Sequence, residues 1–83
     1  MKKYQVIFVS DWDDNRANIE THQYEHRALA IEKIKMKLAI ALSDPSLSLT
    51  ITTDKDKEPI GYYADMDNEP SLGWEKCILI ELE

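Results

Sequence analysis

HRALAIEKIKMKLAIALS, residues 26–43, runs eighteen positions without glycine or proline. Ala, Leu, Ile, Glu, Lys and Met dominate it, and these are good helix formers. At 100° per residue Ile31, Ile34, Leu38, Ala41 and Leu42 share one arc, the side expected to face a sheet. Leu29, Met36 and Ile40 fall on the opposite side. A helix with one buried face does not need that second stripe, so a loop or a second subunit is expected over it. Ser43-Asp44-Pro45 should end the helix, because proline disfavours α geometry in the residue before it.

Outward from the helix the periodicity changes to two. Tyr4 to Val9 is β-branched, aromatic and apolar at both parities, which suits a central strand with contacts on both faces. Asp11, Trp12, Asp13, Asp14 and Asn15 read as a turn within Ser10 to Arg16. Asn18 to Tyr24 is then a polar return strand at an edge. Beyond the helix, Leu47 to Thr52 alternates apolar and polar, the pattern of a half-buried strand. Thr53 to Gly73 holds Pro59, Pro70 and both glycines, and reads as a long connection with a short strand at Ile60 to Ala64. Trp74 to Leu82 closes the chain as a largely buried strand.

The expected fold is a single α+β domain of residues 1–83, ββαββ, with one amphipathic helix on a small antiparallel sheet. A right-handed crossover through the helix makes the third strand parallel to the second. The sheet order 2-1-3-4 satisfies this, with one face under the helix and one open.

Sixteen acidic residues oppose ten basic ones among 83, a net charge of −6. That balance opposes direct binding to nucleic acid or to anionic membranes and favours a basic protein surface as partner. The acidity is local. Residues 54–69 carry six acids against two lysines, and residues 11–20 carry four against one arginine, whereas residues 25–42 are net basic. Cys77 is the only cysteine, which fits a reducing, cytoplasmic setting. No apolar run approaches a membrane span.

Candidate chemistry is sparse, and no cofactor motif is present. Asp54-x-Asp56-x-Glu58 has the alternating oxygens of a calcium loop, but Pro59 stands where that loop needs glycine. His22 and His26 are four apart, yet the helix starts only near His26, so the two do not share a helical face. A small metal-binding protein or an enzyme is therefore the third reading. The second is a self-associating subunit, a homodimer formed through Leu29, Met36 and Ile40 or through edge strands. The first is a non-enzymatic protein-binding module. In it Asp11, Trp12, Asp13, Asp14, Asp54, Asp56, Glu58, Tyr62, Tyr63, Asp65, Asp67 and Glu69 present carboxylates and aromatic anchors to a basic partner.

The Tyr4-to-Val9 strand, the Asp-Trp-Asp-Asp turn, the Glu20-Thr21 strand, the Tyr24-led helix and the acidic, aromatic tail together resemble small accessory proteins of phages and other mobile elements. Those include acidic inhibitors of host defence, of the anti-CRISPR and anti-restriction type, which occupy basic nucleic-acid channels. The resemblance covers the whole chain as a style without a diagnostic motif. It implies a competitor of nucleic acid and assigns no residues.

Overall fold

The computed structural model describes residues 3–12 and 16–82, the side chains of residues 16 and 17 apart. Five strands and one helix follow in the order β1 (Tyr4–Trp12), β2 (Arg16–Tyr24), α1 (Arg27–Leu42), β3 (Leu47–Thr53), β4 (Pro59–Met66) and β5 (Gly73–Glu81), with a short 3-10 turn at Pro70–Leu72. All strand pairs are antiparallel, in the order β2-β1-β5-β4-β3. The fold is α+β, one helix packed on an antiparallel sheet.

The expected order 2-1-3-4 is corrected. Ile60 to Ala64 is not a short interlude but the middle of an eight-residue strand. It pairs with β3 on one side and β5 on the other, so the last three strands form a meander. That meander carries β5 to β1 and leaves β3 at the far edge. The third strand still runs parallel to the second, but three strands lie between them.

Two turns make the meander. At its start the Asp54 carboxylate accepts the backbone N–H groups of Asp56 and Glu58, each at 2.9 Å, and Lys57 takes a left-handed backbone, φ 63°. At its end Asp67 and Asn68 both have positive φ, 48° and 63°, the reversal that Asp and Asn tolerate best after glycine. The Glu69 N–H closes that turn on the Met66 carbonyl at 2.7 Å. Gly61 keeps β4 close to β5, since a Cβ there would lie 2.8 Å from the Cys77 carbonyl oxygen.

The helix starts after His26 and ends at Ser43, whose N–H and hydroxyl both return to the Ile40 carbonyl. Its buried residues are Ala30, Ile31, Ile34, Leu38 and Ala41. Leu42, expected on this side, is exposed, because it lies on the last turn and at the margin of the arc. The helix packs on Val6 and Phe8 of β1, Cys77 of β5, and Tyr62 and Ala64 of β4, with Tyr4, Tyr24, Leu47, Leu49 and Leu79 around them. Lys37 bridges helix and sheet, its Nζ 4.2 Å from the Phe8 ring centre and 3.2 Å from Glu20 Oε2.

Ile34 is fully buried at the centre of the helix–sheet contact. Ile34→Ala should cost about 2–5 kcal/mol in urea unfolding. The Glu58 N–H first, then Arg27 and the Asp56 N–H, hold the Asp54 carboxyl below its usual range. A depressed carboxyl pKa contributes stability above its unfolded value and loses it as pH falls through the folded one. Asp54→Ala should thus be less stable than the parent at neutral pH, and the gap should narrow as pH drops below about 3.9.

Candidate functional site

Strand parity assigns each residue to a face. Even residues of β1 face the helix, so Gln5, Ile7, Val9 and Asp11 face the other way. Through the ladders they share the open face with Trp74, Lys76, Ile78 and Ile80 of β5, Gly61, Tyr63 and Asp65 of β4, and Ile19 and Thr21 of β2.

The acidic segments do not converge. Asp54, Asp56 and Glu58 lie in the turn before β4, and Asp65, Asp67 and Glu69 at or beyond its other end. Eight residues of strand put about 27 Å between them. The turn before β4 is also occupied locally. Asp54 Oδ2 lies 2.9 Å from Arg27 Nη1, and Lys35 Nζ lies 3.1 Å from Glu58 Oε2. Arg27 Nε further lies 3.5 Å from Glu81 Oε1. The net-basic helix is thereby tied to acids at that end of the sheet. Asp54 spends both carboxylate oxygens on its own turn and on Arg27, an arrangement unlike a calcium loop with its oxygens aimed at one centre.

The opposite end is different. Asp11 pairs with Trp74, and Trp74 pairs with Asp65, so the three form one row across β1, β5 and β4 on the open face. Trp74 stacks on Tyr63, ring centres 6.3 Å apart and planes 24° from parallel. Asp65 is buried beside Tyr63, and burial first, then the Asp65 carboxylate, raises the Tyr63 phenol above its usual pKa. Trp12 lies across the sheet from Trp74, on the helix side. It packs over Gly73, where φ is 144° and a Cβ would enter the Trp12 ring. Asp67 and Glu69 are exposed on the rim of the same end. Asp13 and Asp14 lie outside the described residues.

Tyr62, expected as an anchor, is in the core. Its hydroxyl donates to Glu75 Oε2 at 2.6 Å under the helix side of the sheet. Burial, then Glu75, pushes its phenol pKa far upward. Leu29, Met36 and Ile40 are 51%, 60% and 69% exposed, so no loop of the described residues covers them. His22 Nε2 lies 3.2 Å from Glu20 Oε1, while His26 is the residue that precedes the helix. Among the described residues no three of His, Cys, Asp and Glu gather as a metal site.

From the residues alone Trp74 fits an interface anchor and the end of a small core equally well, and the apolar set Ile7, Val9, Ile78 and Ile80 is not singled out as a surface. The signal was there. Both terminal strands are apolar at both parities, and one helix covers only one side.

The chain matches no known family model, no curated protein and no solved structure. Among the described residues no helix is long and apolar enough to cross a membrane.

Cys77 is fully buried between β1 and β4, and burial pushes its thiol up to about 11. Native protein should not react with a disulfide reagent at mildly alkaline pH, and unfolding in urea should expose the thiol. The sign of the pH dependence follows. Above about 8.5 the unfolded thiol ionises while the folded one keeps its proton, so stability falls with rising pH. Cys77→Ala should flatten that part of the stability–pH curve.

Proposed function

We propose that the protein is a non-enzymatic binding module that sets the acidic, tryptophan-bearing end of its sheet against a basic surface of a protein partner. The observation that carries this reading is the row Asp11, Trp74, Asp65 with Tyr63 stacked on the tryptophan. Trp and Tyr are the commonest energetic centres of protein interfaces, and their weight depends on a polar rim that excludes water. Here the rim is anionic. Asp11 and Asp65 flank Trp74, and Asp67 and Glu69 extend the negative charge past the strand ends. Complementary charge of this kind raises association rates and selects partners more than it adds affinity.

A basic groove that ordinarily holds nucleic acid has the required chemistry. The carboxylates would occupy phosphate positions while Trp74 and Tyr63 supply the apolar contact, and the protein would act as a competitor. This agrees with the resemblance to phage-borne inhibitors of host defence. The single buried cysteine fits a cytoplasmic setting for it. The acids at Asp54 and Glu58 take no part, because Arg27 and Lys35 already answer them.

Affinity capture from the native host with the parent chain and two variants tests the reading. Trp74→Ala should weaken a captured complex by roughly 30-fold or more. Asp11→Lys with Asp67→Lys should slow association and weaken its dependence on salt. A complex indifferent to both variants would place the partner elsewhere on the molecule.

A further inference from the structure

The open face of the sheet, below the Asp11–Trp74–Asp65 row, is the face that the helix does not cover, and its central apolar side chains are half-buried. Its apolar members are Ile7 and Val9 of β1, Ile78 and Ile80 of β5, Tyr63 of β4 and Ile19 of β2, the last 70% exposed. Ile7 and Ile78 are direct cross-strand partners at the centre. An antiparallel sheet can leave one face in water where that face is polar, but β1 and β5 place apolar side chains on this face as well as on the helix side.

Five strands and four rows of side chains span roughly 600 Å².

We infer that a second copy of the chain covers this face, the two sheets packing face to face about a two-fold axis as a four-layer helix–sheet–sheet–helix dimer. Mutual burial of the two faces would remove about 1,200 Å² in total, the lower bound of stable protein interfaces. The helix stripe is the rival surface, since Leu29, Met36 and Ile40 are each more than half exposed, but they lie in single file along one helix.

The face also complements itself. Below the Trp74 row its one charged side chain is Lys76, beside Tyr63 and Val9. Among the described residues Lys76 has no carboxylate in ion-pair range, and neither Asp11 nor Asp65 has a cation. Each copy thus carries an unpaired ammonium one row from two carboxylates. Pairing Lys76 with one carboxylate of the other copy leaves the second, with Asp67 and Glu69, at the rim.

A depression of about 250 Å³ over Gly61, walled by Thr50, Thr52, Tyr63, Lys76 and Ile78, supplies a hole for one branched aliphatic side chain of the other copy. Among the other described acids, Glu20, Glu75 and Glu81 lie at helix-side positions of the sheet and Glu32 on the helix, away from the open face. This dimer would share one carboxylate of the Asp11–Trp74–Asp65 row with the proposed docking end and leave Asp67 and Glu69 free at that end of each copy.

Sedimentation equilibrium and methyl NMR together test it. The parent chain should sediment as a dimer, Ile78→Lys as a monomer with unchanged far-ultraviolet dichroism, and Met36→Lys as a dimer. In a mixed sample with labelled isoleucine in one half of the chains, intermolecular NOEs should connect the methyls of Ile7, Ile78 and Ile80. This readout needs no mutation and decides the matter even where Ile78→Lys fails to fold. A monomer at millimolar concentration overturns the inference. So does a dimer lost in Met36→Lys, or one whose intermolecular NOEs fall on Ile40 or on Ile19 alone.

Discussion

The nine-residue ladder between β1 and β5 is the contact on which the rest of the molecule depends. It sets Phe8 against Cys77 and Val6 against Leu79 beneath the helix, and in the same stroke sets Ile7 against Ile78 on the other side. Side chains alternate with period two, so a slip of one residue would exchange the faces and place Ser10 and Glu75 in register with the wrong neighbours. Both strands are apolar at both parities, which suits them to the middle of the sheet and to no edge. The helix can satisfy only one of the two faces that this pairing creates. The open face is therefore a consequence of the core itself.

Charge is distributed to match. Arg27, Lys35 and Lys37 reach down from the helix to Asp54, Glu58, Glu81 and Glu20, and these contacts anchor the helix across the sheet. Exposed pairs of this kind add little stability individually. They do consume negative charge at one end and along one edge. At the other end Asp11, Asp65, Asp67 and Glu69 have no ion pair among the described residues and lie around two stacked rings. The polarity of the molecule arises from where its few cations are anchored.

Much of this was legible in the residues. The eighteen-residue run without glycine or proline became a helix from Arg27 to Leu42, and the alternation at Leu47 became β3. β4 was understated because Pro59 and Gly61 are read as breakers. Pro59 is tolerated at the first strand position, and Gly61 is there to admit the neighbouring backbone, a reason visible only in three dimensions. Missing the length of β4 misplaced β3 beside β1. Among the site residues, Asp11, Tyr63 and Asp65 are brought together, while Tyr62 is buried despite being adjacent to Tyr63. Neighbours along a strand face opposite ways, so one belongs to the core and the other to the surface. Trp74 was harder to place, because its position in the row depends on pairing with two strands distant in sequence.

The sheet order turns on β5 lying between β1 and β4. Cross-strand NOEs from the backbone protons of Cys77 measure this directly. Contacts from Cys77 to Phe8 on one side and to Tyr62 on the other are the predicted result. Contacts that instead join β1 to the residues of Leu47–Thr53 would contradict the sheet order, and with it the open face and the acidic row that follow from it.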